Sequence, residues 1–410
     1  MTTLWTCRLC ASPLDRTFVD LGAAPPCEAF LTEAQLSEPE TTYPLRVFVC
    51  GSCLLVQLPA HVDGREVFDD YAYFSSFSDS WVEHARRFVE GAVERLDLGG
   101  DSLVVEVASN DGYLLQHVVA AGVPALGVEA ADNVAEVARG RGVPTVTCYL
   151  DEESGRRLAE QHGPATLVVG NNVLAHVPDL TGFVAGLRAL MADDGWLSLE
   201  FPHLLRLVEQ RQYDTIYHED YSYFSLRTAQ AALAQGGLSV VDVEELGTHG
   251  GSLRLWARPE AMAAPRAPSV ASVLLAEEQA GLHTLEGHDG FADAVDDVRQ
   301  GLLRFLLDAR RDGRTVAAYG APGKGNTLLN HCGVRADLLQ YAVDRNPYKH
   351  GRYLPGSRIP VLPTEELALR RPDYVLLLPW NLREELVAQL APVRDWGGRL
   401  VVPIPTLDVL

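Results

Sequence analysis

The period of apolar positions changes repeatedly along the chain. From Ser80 the run SWVEHARRFVEGAVERL carries apolar residues at helical spacing, Gly99-Gly100 ends it, and LVVEVAS follows as a buried strand. The alternation then runs through a helix near YLLQHVVAAG, a strand at PALGVE, a helix at NVAEVARGRG, a strand at TLVVGNN, a helix at LTGFVAGLRALM and a strand at WLSLEFP. Such alternation predicts a parallel sheet covered on both faces. A further helix, TAQAALAQGG, and the strands LSVVDVEEL and SLRLWAR are expected to complete it with an antiparallel edge.

Residues 1–80 lack helical periodicity and read as a small module of their own. The Pro- and Ala-rich stretch 259–270 reads as a connector, followed by a long helical segment. A second α/β series then begins at TVAAYGAPG and continues through LLQYAVDRNP and DYVLLLPW to RLVVPIP. The expected architecture is α/β in three parts: an N-terminal module (1–80), a central Rossmann-like domain (81–260) and a second Rossmann-like α/β domain (271–410).

The formal net charge of -21 argues against nucleic acid or an anionic membrane as partner, since both require a basic face. No apolar run reaches the ~18 to 20 residues that span a bilayer, and no basic stretch precedes an apolar segment at the N-terminus, so a cytoplasmic location is expected. Four of the seven cysteines form two Cys-x-x-Cys pairs, Cys7/Cys10 and Cys50/Cys53. In a reducing compartment these suit a closed tetrahedral structural Zn2+ site. Cys27, Cys148 and Cys332 stand alone and read as core or incidental thiols.

The strand carrying Glu106 runs into the polar turn Ala108-Ser109-Asn110-Asp111-Gly112, at the carboxyl end of the first parallel strand, where open α/β sheets bind ligands. The turn lacks the later glycines of a dinucleotide fingerprint, which disfavours NAD. Glu129, one βα unit on, is placed to accept both hydroxyls of an adenosine ribose, and Gly170-Asn171-Asn172 after a later strand adds to a cofactor pocket. In the C-terminal series, Lys324 and Asn326 lie in a Gly-rich turn opening a helix whose amides could meet a phosphate. Asp344, Asn346 and Lys349 follow the next strand at the same sheet edge.

The strings EVASNDGYLL, GNNVLAHVPDL, TIYHEDYSYFS, HGGSLR, YGAPGKGNTLLN and DRNPYKHGRYLPG resemble, in this order, those of the bacterial deoxysugar C-methyltransferases. These enzymes use S-adenosylmethionine (SAM) to add a methyl branch to thymidine-diphosphate (TDP) 4-keto sugars for antibiotic glycosides. The resemblance runs from the N-terminal cysteines nearly to the C-terminus. It implies a zinc-binding domain, a central SAM domain and a C-terminal domain that helps hold the nucleotide sugar. It also implies cofactor roles for Asn110, Asp111, Gly112, Leu114, Glu129 and Asn172, with Ala108 standing where a glycine is common.

Carbon methylation requires a base to remove the proton beside a ketone, a donor to the enolate oxygen, and rigid positioning. The cluster Tyr217-His218-Glu219-Asp220-Tyr221 lies on a loop suited to this chemistry. The resemblance adds Tyr71 and His176 as active-site positions. The family usually carries a histidine, the favoured base, where this chain has Asp220. Three outcomes follow from that substitution. Asp220 acts as base with Tyr217 donating to the enolate, or His176 or His218 takes over, or the protein has left C-methylation for heteroatom methylation, proton exchange or epimerisation, or binding without turnover.

Overall fold

The computed structural model describes residues 5–62, 74–262 and 265–410, arranged around three sheets. In the N-terminal sheet, Arg16–Ala24, Tyr43–Val49 and Val56–Gln57 pair antiparallel. Its fourth strand, Ser222–Tyr223, is supplied by the central part of the chain.

The central sheet has seven strands, in the order Leu238–Leu246, Ser252–Pro259, Met191–Pro202, Ala165–Asn171, Val104–Val107, Ala125–Glu129 and Thr145–Thr147. The first two are antiparallel to their neighbours, and the rest pair in parallel. Val104–Val107 is buried at every position, which is why it reads as a continuous apolar run interrupted only by Glu106. It lies between Ala125–Glu129 and Ala165–Asn171, so the chain order reverses there and a crevice opens at the strands' carboxyl ends.

The C-terminal sheet is ordered Val361–Pro363, Tyr341–Asp344, Val316–Tyr319, Tyr374–Leu377, Arg399–Val402 and Asp408–Val409, parallel except for the last strand. Val316–Tyr319 is its own switch-point strand. The fold is thus α/β, with a Rossmann-like centre and a second parallel sheet. No helix among the described residues is long and apolar enough to cross a membrane.

The expected elements form, with differences at weakly patterned stretches. The three-residue edge strand Thr145–Thr147 and the helices Glu152–His162 and Leu204–Glu209 carry little apolar periodicity. The second of these instead starts with a capping box in which Asp151 and Ser154 satisfy each other's amides. The stretch 259–270 is a connector for only part of its length. A helix, Pro268–Gln279, begins inside it and buries Val270 and Val273 in the same core as the central sheet. Fully buried Glu277 on this helix accepts from His203 Nε2 at 2.8 Å and from the Leu226 amide. The long helical segment therefore splits in two, and only Phe291–Arg311 joins the C-terminal core.

The N-terminal sheet does not bury its faces alone. Phe18, Leu21, Leu45 and Val47 share one core with the C-terminal sheet and the helix Phe291–Arg311, and Phe18 stacks on Phe291 at 4.6 Å. At the cysteine end, Leu9, Leu14, Phe48 and Leu55 share the core of the central domain. The module therefore joins two α/β cores. Leu302, fully buried where the long helix meets this shared core, should cost about 2 to 5 kcal/mol when replaced by Ala. Denaturant unfolding monitored by circular dichroism checks this, and a loss below about 1 kcal/mol would contradict a continuous core.

Candidate active site

The four thiols of Cys7, Cys10, Cys50 and Cys53 lie within 4.8 Å of one another. Each pair sits on the same knuckle: the Ala11 amide returns to the Cys7 carbonyl and the Leu54 amide to the Cys50 carbonyl, with Ala11 and Leu54 both at positive φ. Backbone amides of Leu9 and Ser52 approach the sulfurs of Cys7 and Cys50, and Gln57 Nε2 donates to Cys7 Sγ at 3.1 Å. The facing Cys53 thiol, aided by Gln57, pulls Cys7 down to about 4. Four sulfurs with donors aimed at them and no open position fit a structural Zn2+.

At the central switch point the turn after Val107 is built from left-handed residues. Ala108, Asn110 and Gly112 all have positive φ, and Asn172 on the neighbouring strand end does too. Positive φ explains why a glycine is common at position 108: alanine adopts this conformation only at a steric cost. A side chain at Gly112 would meet Val143 and Ala138, so the helix after the turn packs closely there.

Glu129 ends its strand buried, with its oxygens accepting from the amides of Asn110 at 2.8 Å and Ala131 at 3.0 Å. Burial nevertheless pushes its carboxyl up. Glu106 is wholly buried behind the turn, and burial together with the Glu129 charge drives its carboxyl well up. Among the described residues nothing pairs with the buried Ser109 Oγ, Asp111 Oδ1, Asn171 Oδ1 or Asn172 Oδ1. Orphaned polar atoms converging on one crevice fit a polar ligand such as SAM.

Two expected cofactor residues also hold the chain that covers them. Asn110 Oδ1 accepts from the Ser75 amide at 2.8 Å, and Asp111 binds the Ser76 hydroxyl and pairs with Arg141 at 2.9 Å. Leu114 packs in the apolar core with Phe88 and Val104.

The loop that carries the expected catalytic residues turns tightly, the Asp220 amide returning to the Tyr217 carbonyl. It brings together four of the expected residues. His176 Nδ1 lies 2.9 Å from Asp220 Oδ1 and 3.0 Å from the Glu219 carbonyl. Burial opposes charge on His176, but the charge and hydrogen bond of Asp220 outweigh it and raise the imidazole to about 9. Burial, reinforced by Asp220, lifts Glu219 to about 7, and the Cys27 thiol donates to Glu219 Oε1 at 3.3 Å. Burial keeps the Tyr217 phenol well above its usual range, hence protonated.

These side chains are enclosed by protein yet still reached by solvent, as the walls of a cleft are. His218 is turned away from the group: it is buried against Tyr43, with Nε2 3.0 Å from that residue's carbonyl. Tyr71 lies outside the described residues.

On the C-terminal side, Lys324 reaches Asn381 Oδ1 at 2.9 Å and lies over the Trp380 ring. Burial lowers its pKa, against the pull of Asp214. The other four expected substrate groups are engaged within the protein. Asn326 donates to the Cys27 carbonyl, Asp344 accepts from the amides of Ala321 and Asn346, Asn346 caps the turn at Tyr348, and Lys349 donates to the Ala321 carbonyl. The Glu28 carboxylate lies 3.7 Å from Lys349, and a side chain at Gly323 would come up against it, so a protein anion stands near this helix start.

A further cluster went unread in the sequence. Glu200, fully buried at a strand's carboxyl end, accepts from Arg254 at 2.7 Å and Thr248 at 2.9 Å and pairs with His84 at 2.8 Å. Trp81 stacks on His84 and meets His249 edge-on. Glu200 looked like a strand residue, and the HGGSLR string was the only signal pointing here.

Residues 7–68 match the zinc binding domain family, 81–243 a methyltransferase domain family and 247–405 the C-methyltransferase C-terminal domain family. The C-methyltransferase NovU of Streptomyces niveus is 38% identical over 404 residues, covering 98% of this chain and 96% of that protein. Among solved structures, a SAM-dependent methyltransferase of Mesorhizobium loti is 14% identical, with TM-score 0.34, over 43% of this chain and 99% of its own. The magnesium protoporphyrin IX methyltransferase of Synechocystis is 20% identical, with TM-score 0.34, over 47% and 91%. Neither structural likeness is strong enough to argue from.

The His176–Asp220 pair predicts a pH signature. A histidine raised to about 9 in the folded protein adds stability that is complete below the unfolded value near ~6.5 and is lost as pH rises through about 9. Asp220→Asn removes the largest influences opposing burial and leaves only those of Glu219, so the His176 ring should then titrate well below about 9. Histidine ring-proton NMR titration of both proteins checks this, and unchanged titration in Asp220→Asn would refute the pairing.

Proposed function

Because the chain belongs to the deoxysugar C-methyltransferase family, as a SAM-dependent C-methyltransferase with a structural zinc domain, we propose that its substrate is a TDP-linked 4-keto deoxysugar. Methylation falls on a ring carbon next to the ketone, in the making of an antibiotic sugar. The observation that carries this reading is the pairing of Asp220 with His176 at 2.9 Å beside a glutamate lifted to about 7.

Asp220, which stands at the position of the usual base, has its Oδ1 engaged by the His176 ring at 2.9 Å. Glu219 is the better base, since a group poised near the working pH combines availability with driving force. The Asp220 charge that raises Glu219 also fixes the His176 ring. The aspartate thus acts through its neighbours. Tyr217, protonated and in the same turn, is placed to donate to the substrate ketone.

Glu129, with Asn171 and Asn172, would hold the adenosine of SAM, and the amides of the Ala108–Gly112 turn would line its path. When bound, SAM supplies an electrophilic methyl group on sulfur. The chain's own contribution is to take the ring proton, hold the resulting enolate and keep water out. Lys324 is the cation on the C-terminal wall for the nucleotide sugar.

Glu219→Gln keeps the shape and removes the proton acceptor. It is expected to slow both ring-proton exchange in heavy water and methyl transfer by about 10²- to 10⁴-fold. Exchange is followed by NMR with a TDP-4-keto deoxysugar, and a Gln variant exchanging at the wild-type rate would remove Glu219 from the role of base.

A further inference from the structure

The loop Gly247–Gly251 presents one histidine in a strained backbone. His249 has φ 54 and ψ 21, a left-handed conformation that costs a non-glycine residue free energy and persists only where the surroundings impose it. Those surroundings are present. Thr248 Oγ1 is held by Glu200 at 2.9 Å, Gln212 Nε2 donates to the Gly250 carbonyl at 2.7 Å, and the His203 amide donates to the Gly251 carbonyl. The flanking glycines sit at φ 88 and 120, and a side chain at either would strike Gln212 or Arg206.

A loop this tightly tied could place a glycine at its centre without strain, yet it carries an imidazole. The ring meets Trp81 edge-on at 4.9 Å. The residue is exposed to solvent, more so than the half-buried Tyr217, Glu219 and Asp220. The charges that reach it are those of Lys324 on the C-terminal wall, Glu200 and His84 on the central sheet, and Asp220 on the catalytic loop. Its loop is tied through Thr248 to Glu200, whose carbonyl takes the Asn172 amide, so His249 stands at the carboxyl ends of the central strands beside the cofactor crevice.

We infer that His249 is a catalytic hydrogen-bond donor, presenting a neutral imidazole N–H to the ketone oxygen of the substrate as the enolate forms. The assignment rests on the reading of the site as one that enolises a keto sugar. Glu219 takes the ring proton, the C–H bonding pair becomes the new C=C bond, and the carbonyl π pair moves onto oxygen. His249 shares its N–H with that oxygen and keeps its proton throughout.

Desolvation by the neighbouring chain, with the Lys324 charge adding to it, lowers the ring's pKa, so it is neutral through the working range. A neutral imidazole is a weak acid matched to an enolate, and it donates without first requiring a proton from solvent. The same property makes it too weak a base to replace the histidine absent at position 220.

The test substitutes His249→Asn, because asparagine tolerates the left-handed backbone but cannot place a donor where the imidazole does. Ring-proton exchange of a TDP-4-keto deoxysugar in heavy water is followed by NMR, together with KM, S-adenosylhomocysteine binding by calorimetry and the melting temperature. Exchange and methyl transfer are expected to fall together by about 10²- to 10³-fold, with cofactor binding and melting temperature unchanged. His249→Gly, which relieves the strain, carries the same readout should the Asn variant fail to fold. An Asn or Gly variant exchanging within about threefold of wild type would overturn this assignment alone. A wild-type enzyme that exchanges with no keto sugar would overturn it along with the reading beneath it.

Discussion

Everything at the site depends on one loop being tied into all three parts of the molecule. Tyr213 and Ile216 are buried in the C-terminal core, Ser222–Tyr223 forms a strand of the N-terminal sheet, and Phe224 and Leu226 enter the central core. Thr327 holds the Ile216 carbonyl, Trp380 holds Asp214, and Tyr221 exchanges backbone bonds with Ala175 and Leu58. Between these anchors Tyr217, Glu219 and Asp220 are left half-buried beside His176, while His218 turns away to Tyr43. Their geometry is therefore a property of the assembled chain, and the zinc module, remote from the chemistry in sequence, supplies a face on which the loop is built.

That placement sets the electrostatics. Two carboxylates in adjacent positions on a surface loop would both titrate near their ordinary values. Enclosed here, they part company: Asp220 takes the imidazole, and Glu219, deprived of water and facing a like charge, is pushed up to about 7. On the proposed reading, Glu219 rather than Asp220 accepts the substrate proton. Cys27 takes part too, its thiol on Glu219 and its carbonyl on Asn326, so a cysteine that looked incidental joins the N-terminal module to both other walls.

The sequence was most readable where physics is local. Helical and strand periods located the long elements, and paired cysteines located the metal site, because knuckles need few neighbours to form. The signal faded where a residue's role comes from a partner far along the chain. His218 sits within the catalytic string, but its ring bonds Tyr43, a partner 175 positions away. Gly323 opens a helix that looked ready for a phosphate, and only folding brings Glu28 beside it. Glu200 reads as one more alternate residue of a strand until His84, Thr248 and Arg254 converge on it. The strand Thr145–Thr147 was too short to register a period at all.

The most direct measurement follows the transferred carbon. The protein is incubated in heavy water with SAM carrying a 13C-labelled methyl group and a panel of TDP-4-keto deoxysugars, and the products are read by carbon–proton correlation NMR. The proposed enolisation by Glu219 predicts a labelled methyl bonded to a ring carbon, with a proton of that same carbon lost in step. Label appearing on oxygen or nitrogen, or S-adenosylhomocysteine released with no carbon-bound methyl, would contradict it.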